Sequence, residues 1–383
     1  MNIYTLDIPE CRDFSLVLQT LDKKVIFLED PVGQQHLFRN KTDLLQSLFI
    51  LPLYLSRDSS QQTALFALAE SYEIPILFIY KRSKKLKDPQ TLPKKTIYES
   101  MAFPADPVEI KLKLKALQNI SMQLYSTKMK EQELVNIGLK VKQNLRVAQN
   151  FQQLVLPTSI QKKDIEIQGL FQPSSELSGD LFYWQEVEDG KYGFIIIDVC
   201  GKGIQAALIS MSIRSLMPGL IKRVKDPTFI TKELNKHMGH LFQEYQKENT
   251  NAPYFTAFIA FVDTAARIIE YVNNGHPPAM MYSPCNNELQ ILSNGSMPIG
   301  LVPDMPIEKG SIHYEAGSRF VIYTDGLSES PSNHTIHRFD KIEQEFIDNV
   351  HLDTSDLLHE LLLSRMKHSE INDDICIIAG TLF

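Results

Sequence analysis

The sequence predicts an α/β domain, then a long helix, then an α+β sandwich. Short apolar strands alternate with amphipathic segments over about the first 120 residues, a helical pattern runs from 107 to about 153, and strands and helices then come in clusters. A chain of 383 residues is also longer than one hydrophobic core usually supports. We therefore place three regions at residues 1–118, 119–157 and 158–383.

The N-terminal region has the pattern of a parallel sheet. Strands are predicted at 3–8, 24–28, 49–55 and 74–80, with helical segments between them, of which 64–72 is the clearest. Strands that are rich in Ile, Leu, Phe and Val and separated by helices are typical of a sheet covered on both faces. We expect a small α/β domain here.

The segment from 107 to about 153 predicts one long helix that needs a partner. Its apolar residues recur at steps of three and four: Leu134, Ile137, Val141, Leu145, Ala148 and Phe151. The partner is either another helix of the same chain or the same helix of a second chain, as in a parallel coiled coil. The pattern thus leaves a homodimer possible, and Pro157 ends the helix.

The C-terminal region mixes strands and helices without strict alternation. Strands are predicted at 165–171, 194–199, 256–262, 267–272, 319–324 and 375–383, the third and fourth forming a hairpin. Helices are predicted after Gly203 and at 227–246, 336–349 and 354–366. This order favours an α+β sandwich over a second parallel sheet.

Composition excludes several classes of protein. A net charge of -7 gives no general basic surface for nucleic acid or an anionic membrane. The four cysteines, Cys11, Cys200, Cys285 and Cys376, show neither zinc-site spacing nor the density of a disulfide scaffold. The N-terminus lacks the pattern of a secretion signal, and no apolar run reaches the ~18 residues of a membrane span. We expect a cytoplasmic protein.

Four short segments place aspartates at strand ends or tight turns, where carboxylates can converge on one cleft. They are Ser178-Gly179-Asp180, Asp198-Val199-Cys200-Gly201-Lys202-Gly203, Thr324-Asp325-Gly326 and Asn372-Asp373-Asp374. Hard cations such as Mg²⁺ and Mn²⁺ prefer oxygen ligands, and two such ions can activate water for attack on phosphorus. An aspartate beside glycine is by itself usually a turn former. Asp198 and Asp325 are favoured because each follows a buried strand.

The Gly201-Lys202-Gly203 run and His276 each allow a second interpretation. The Gly201-Lys202-Gly203 run lacks the GxxxxGK[ST] spacing of a phosphate-binding loop, so it predicts a turn into the next helix. Lys202 either attracts a substrate phosphate or is a solvated loop lysine. His276 lies between Gly275 and Pro277, which predicts a turn residue with local hydrogen bonds.

The order of these segments closely resembles the PPM phosphatases, in the RsbU- and SpoIIE-like branch of the protein phosphatase 2C family. The resemblance runs from about Leu145 to Phe383. It includes the four aspartate segments, the second of them together with Ala206-Ala207, and also Leu145-Arg146-Val147-Ala148 to Leu156-Pro157, Asn273-Asn274-Gly275-His276-Pro277-Pro278 and Met297-Pro298-Ile299-Gly300. Seven ordered motifs make it specific.

The resemblance implies an αββα sandwich that binds two Mn²⁺ or Mg²⁺ ions. By motif position, Asp198 would bridge both metals, the Val199 carbonyl would help hold one, and Asp325 and Asp373 would bind the other. Asp180 would be a ligand or orient metal-bound water, and Asp374 could take the place of Asp373.

Three positions depart from the family pattern without removing a carboxylate. Cys200 stands where Ser is more usual, Cys376 where Thr is usual, and Ser178 replaces the first Gly of a Gly-Gly-Asp motif. We therefore expect a catalytically competent site.

The implied activity is removal of phosphate from serine or threonine of a partner phosphoprotein, and the resemblance implies a substrate of the anti-anti-sigma-factor type that this branch acts on. The alternative is a non-catalytic scaffold that kept the sandwich and binds phosphoproteins without turnover. A metal-dependent hydrolysis assay separates the two.

The N-terminal region resembles a response-regulator receiver through residues 103–110, which match its last strand-to-helix step. A phosphorylatable receiver needs an aspartate after the third strand, where this chain has Ser56 and Arg57, with Asp58 slightly late. A lone Asp7 stands for the acidic pair, and Phe103 lies near the lysine position. We expect a degenerate receiver that controls the phosphatase by binding an unknown regulator.

Overall fold

The computed structural model describes residues 2–6, 9–21, 23–28, 47–52, 66–71, 74–81, 97–243, 253–328, 336–368 and 372–383. The chain divides into two compact units, Met1–Lys140 and Val141–Phe383. The three regions drawn from the sequence remain a prediction.

The first unit holds a five-stranded parallel sheet in the order β2-β1-β3-β4-β5. Its strands are β1 (Asn2–Leu6), β2 (Lys24–Leu28), β3 (Ser47–Pro52), β4 (Ile76–Lys81) and β5 (Tyr98–Phe103). Helix α1 (Pro9–Thr20) joins the first two, and residues 66–71 are helical. This strand order is that of flavodoxin-like doubly wound sheets. Four of the five strands were predicted, and the predicted parallel sheet is confirmed.

The receiver interpretation of this unit stays a prediction. Its diagnostic positions Asp7, Ser56, Arg57 and Asp58 lie outside the described residues, and Phe103 ends β5.

Both faces of this sheet are covered. Alternate residues such as Ile3 and Ile50 pack on one face with Phe14 of α1, whereas Tyr4 and Phe49 pack on the other. Strands β1 and β3 are therefore apolar on both sides, as is typical of parallel sheets.

Helix α2 (Pro107–Leu154) is continuous, as the periodicity predicts. It begins in the core of the first unit, where Ile110, Leu114 and Leu117 are buried. Farther along, much of the predicted stripe faces solvent: Leu134 is 68% exposed and Phe151 is 59% exposed.

The second unit contains two six-stranded sheets. One has the order β14-β11-β10-β9-β8, with β15 also paired to β11, and the other the order β13-β12-β16-β17-β7-β6. The first comprises β8 (Leu181–Glu188), β9 (Lys191–Val199), β10 (Phe255–Asp263), β11 (Ile268–Asn274), β14 (Gly295–Ser296) and β15 (Gly310–His313). The second comprises β6 (Ile160–Gln161), β7 (Ile165–Gln172), β12 (Ala279–Ser283), β13 (Glu288–Leu292), β16 (Ser318–Tyr323) and β17 (Ile375–Leu382).

Helices cover the outer face of each sheet. Helices α3 (Ile204–Val224) and α4 (Pro227–Leu241) pack on the first sheet, whereas α5 (Asp325–Ser328), α6 (Ile336–Asn349) and α7 (Thr354–His368) pack on the second. A third apolar cluster, which includes Phe194, Phe258 and Phe320, fills the space between the sheets. The unit is therefore an αββα sandwich, as expected.

Helix α3 corrects one expectation from the sequence. Among the described helices it alone is long and apolar enough to cross a membrane by length and composition. Its Ile213, Met217 and Ile221 are buried against the first sheet, so it is a core helix of the sandwich.

Candidate active site

Strand alternation brings polar side chains to one end of the space between the sheets. On β9, Phe194 and Ile196 face that space, so Asp198 continues the same face at the end of the strand. Thr256 of β10 is paired with Asp198 in the strand register. Phe258, two residues farther along β10, packs between the sheets, so Thr256 lies on the same face of its strand. Asp198 therefore lies where the apolar interior ends.

The other predicted segments reach the same end from their own strands. Asp180 lies one residue before β8, Thr324 one residue after β16, and Asp374 one residue before β17. Cys376 in β17 is part of the intersheet cluster, and the Thr324 amide donates to its carbonyl at 3.0 Å. Both sheets thus contribute to a single polar group of residues.

Two glycines allow these segments to approach closely. A Cβ on Gly179 would lie 3.1 Å from the Val199 carbonyl oxygen, and one on Gly326 would lie 2.1 Å from the Asp374 carbonyl oxygen. The Asp180 loop therefore packs against the end of β9, and the Asp325 turn packs against the Asp373–Asp374 segment. Only glycine leaves room at the second position.

Asp180 is a buried carboxylate without full compensation. Its side chain Oδ2 is buried and accepts no hydrogen bond, and its residue is 3% exposed. Burial first, and then the charge of Asp198, hold the pKa of Asp180 well above its ordinary value, with smaller contributions from Asp374 and Asp325. The Thr324 hydroxyl opposes this shift. A cation at this place would remove the penalty.

Asp374 is engaged by the loop that carries Asp180. Its Oδ1 accepts hydrogen bonds from the Ser174 amide at 2.7 Å and the Ser174 hydroxyl at 2.8 Å, and its Oδ2 accepts one from the Gly179 amide at 3.0 Å. Both carboxylate oxygens therefore hold residues 174–179 in place.

Asp373 has a different environment. Its side chain is 28% exposed, and its Oδ2 lies 2.9 Å from Lys202 Nζ. Lys202 also donates to the Asn372 carbonyl at 2.7 Å. Lys202, for which two interpretations were open, thus pairs with one of the predicted metal ligands.

Sequence reasoning missed Gln152, near the end of α2. Its amide is buried, donates to the Ser178 carbonyl at 2.9 Å and accepts from the Ser178 amide at 3.2 Å. The Ser178 hydroxyl in turn accepts from the Asp180 amide at 3.0 Å. Gln152 therefore supports the loop that presents Asp180. The adjacent Gln153 is exposed, and nothing in the sequence distinguishes the two.

His276 makes the predicted local hydrogen bond and a second contact that was not predicted. Its amide donates to Asn273 Oδ1 at 2.8 Å, while its buried ring lies with Nδ1 2.9 Å from the Thr256 hydroxyl. Burial lowers the pKa of His276 to about 3, so the ring is neutral at physiological pH. His276 therefore supports the strand residue opposite Asp198.

The donors at this end of the sandwich fit hard divalent cations. They are the carboxylates of Asp180, Asp198, Asp325 and Asp373 and the carbonyl of Val199, all of them oxygen. In the described part of the chain no group of three or more His, Cys, Asp or Glu side chains is already placed to hold a metal ion. The charges of Asp198, Asp374 and Asp325 all raise the pKa of Asp180, so these carboxylates are close enough to repel one another.

Solved structures define the class of this fold. The chain is similar to the SiaA-PP2C domain of Pseudomonas aeruginosa, with a TM-score of 0.54 and 19% identity, over 64% of this chain and 98% of that one. It is also similar to a structure of the RsbU and RsbW domains of a Mycobacterium tuberculosis protein, with a TM-score of 0.51 and 17% identity, over 59% of this chain and 61% of that one. The second unit has the PP2C fold.

The family follows from the sequence comparison. The family described as "Stage II sporulation protein E (SpoIIE)" matches residues 188–382, slightly more than half of the chain. The chain belongs to the SpoIIE family of PP2C-type domains, as the resemblance implied.

The curated relatives include two phosphatases from Bacillus subtilis. The phosphoserine phosphatase RsbP is 32% identical over 63% of this chain, and the phosphoserine phosphatase RsbU is 25% identical over 72% of it. The matched region covers 58% of RsbP and 81% of RsbU.

Proposed function

We propose that this protein is a Mn²⁺- or Mg²⁺-dependent phosphatase that acts on phosphoserine or phosphothreonine of a partner protein. The observation that carries the proposal is the buried Asp180, whose unpartnered oxygen lies among Asp198, Asp325 and Asp374 at the end of a PP2C sandwich. The names of RsbP and RsbU, both phosphoserine phosphatases, support the same activity.

The proposed ligands are those that the resemblance to the PPM phosphatases implies. Asp198 would bridge two ions with help from the Val199 carbonyl, Asp325 and Asp373 would hold one of them, and Asp180 would bind or orient water. When bound, the ions supply a water nucleophile of lowered pKa and stabilise the charge that develops on the phosphoryl oxygens.

Asp373 suits the ligand role better than Asp374. Both oxygens of Asp374 accept hydrogen bonds from residues 174–179, so its carboxylate is committed to positioning the Asp180 loop. Asp373 is partly exposed and paired with Lys202, a partner that a divalent cation can replace. We therefore assign metal binding to Asp373 and a positioning role to Asp374.

The partner and the regulation are also proposals. The resemblance to the RsbU- and SpoIIE-like branch implies a phosphoprotein of the anti-anti-sigma-factor type as substrate, and the N-terminal unit would bind the regulator. The exposed stripe on α2, with Leu134 68% and Ile137 51% exposed, favours pairing with the same helix of a second copy. Because the C-terminal turns of α2 contact the Asp180 loop through Gln152, repacking of that helix would reach the site.

Hydrolysis of p-nitrophenyl phosphate with and without Mn²⁺ tests the activity. We expect metal-dependent turnover that falls by roughly a thousandfold in Asp198→Ala and Asp325→Ala, since both nucleophile activation and charge stabilisation depend on the ions. Asp189→Ala, at an exposed turn, is the matched control and should retain the rate. Absence of metal-dependent activity in pure protein, together with unchanged Mn²⁺ affinity in both variants, would support the scaffold alternative instead.

A further inference from the structure

A groove between α4 and residues 303–307 lies outside the proposed metal site. Its volume is about 620 Å³, within the range of binding pockets. One wall is formed by Lys232, Lys236 and His240 of α4, and the other includes Pro303, Met305 and Ile307. The groove thus combines a basic wall with a largely apolar one.

The basic wall follows from the helical period. Leu234 and Met238 of α4 are buried against the first sheet. Lys232, Lys236 and His240 are spaced four residues apart, so they share another side of the helix, and all three are exposed. This local charge is opposite in sign to the net charge of -7 on the chain.

The opposite wall is held in place by Asn235. Its Nδ2 donates to the Val302 carbonyl at 3.0 Å and to the Pro303 carbonyl at 2.7 Å, while its Oδ1 accepts from the Gly300 amide at 2.8 Å. The buried amide therefore fixes the turn that leads into residues 303–307, and the groove is preformed.

The groove is connected to the end of the sandwich that carries the aspartates. Ile299, just before the turn, exchanges backbone hydrogen bonds with Phe255 at 2.9 and 3.0 Å. Phe255 is in turn opposite Val199, one of the proposed ligands. The turn that forms one wall of the groove is therefore joined by backbone hydrogen bonds to the strand that pairs with the end of β9.

We propose that the groove binds an acidic segment of the substrate protein. Carboxylates of that segment would pair with Lys232 and Lys236, and one of its apolar side chains would pack against Met305 and Ile307. One acidic residue, Asp304, lines the groove together with Lys232 and Lys236. The positive charges outnumber the negative one, so the walls favour an anionic partner. This inference rests on the proposed phosphatase function, because it assigns the groove to recognition of the same substrate.

Two phosphoserine peptides of equal length test the proposal, one with Asp and Glu around a leucine beside the phosphoserine and one with Asn and Gln in their place. We expect kcat/KM to be roughly tenfold higher for the acidic peptide, because two or three exposed ion pairs together contribute enough binding free energy for a change of that size. Lys232→Glu/Lys236→Glu should abolish the preference and leave p-nitrophenyl phosphate turnover unchanged. The control Lys163→Glu/Lys222→Glu makes the same change of charge at other exposed lysines and should keep the preference.

A labelled acidic peptide without phosphate separates this inference from the proposed function. Fluorescence anisotropy should show binding to the full chain and its loss in Lys232→Glu/Lys236→Glu, whether or not phosphate is hydrolysed. Equal kcat/KM for both phosphopeptides in an enzyme that hydrolyses p-nitrophenyl phosphate would overturn the groove proposal alone. An equal loss in the control variant would do so as well.

Discussion

The two structural units of this chain differ in the kind of polar residue that they bury. In the described part of the parallel sheet the buried polar residues are uncharged, and Thr5, for example, donates its hydroxyl to the Ile50 carbonyl at 2.8 Å. The sandwich instead buries Asp180, His276 and Asp374 at one end of its intersheet core. Burying an ionisable group costs stability unless something compensates it, so the group formed by these three residues at one end of the sandwich marks the candidate active site.

The largest effect predicted for this comparison distinguishes the roles of the adjacent carboxylates Asp373 and Asp374 in the sandwich. Asp373→Asn should lower kcat/KM for p-nitrophenyl phosphate by roughly a hundredfold or more and weaken Mn²⁺ binding, because it removes a ligand without disturbing the fold. Asp374→Asn should lower the free energy of unfolding by about 2 kcal/mol or more, since it weakens hydrogen bonds to Ser174 and Gly179. Thermal unfolding and Mn²⁺ titration of both variants measure the two effects. If Asp373→Asn keeps full metal affinity and Asp374→Asn loses it while staying stable, the assignment is reversed.

A second prediction concerns the uncompensated charge of Asp180. Its raised pKa means that the folded state must release a proton at a cost as pH rises above the ordinary aspartate value, so stability is lost in that direction. Asp180→Asn should therefore stabilise the metal-free protein at pH 7.5 and give no such gain near pH 4. Mn²⁺ should stabilise the original protein by about 2–3 kcal/mol at a hundred times its Kd, and the variant by less.

Calorimetry with Asp189→Asn as the exposed control measures these differences. The interpretation fails if Asp180→Asn is destabilising at pH 7.5 to the same extent as at pH 4.

A third prediction uses the buried histidine. Folded His276 stays neutral down to about pH 3, whereas an unfolded histidine gains a proton below about 6.5, so the unfolded state binds more protons as pH falls. This one residue should reduce the free energy of unfolding by about 2 kcal/mol between pH 7 and pH 5. His276→Gln should show a correspondingly flatter pH dependence in urea unfolding, while the exposed control His313→Gln should not. Parallel curves for His276→Gln and the original protein would contradict the assignment.

Much of the fold was accessible from sequence because periodicity reports burial. The long helix and strands β7, β9, β10 and β11 were all predicted close to their observed bounds. Strand β5 was missed because only Met101 of its residues is buried, which leaves little apolar signal. Strand β8 was missed because Leu181 to Trp184 are buried in succession, two against the helices and two between the sheets, so no alternation shows.

The candidate site could be predicted from the sequence only where short local motifs identify its residues. The aspartates could be identified from their order along the chain, but not the different environments of Asp373 and Asp374. That difference depends on Ser174, which is 200 residues away from Asp374 in sequence. Such contacts arise only when strands of the two sheets are brought together.

The smallest expected effect concerns the link between α2 and the sandwich. Gln152→Ala should lower kcat for p-nitrophenyl phosphate roughly tenfold, because the Ser178 amide and carbonyl lose their buried partners and the Asp180 loop is held less firmly. Gln153→Ala, one residue farther along and exposed, is the matched control and should be neutral. Because the carboxylates themselves are unchanged, excess Mn²⁺ should recover much of the rate in Gln152→Ala and none in Asp198→Ala. A loss of rate that Mn²⁺ does not recover, or an equal loss in Gln153→Ala, would show that the helix acts on the site by some other route than this loop.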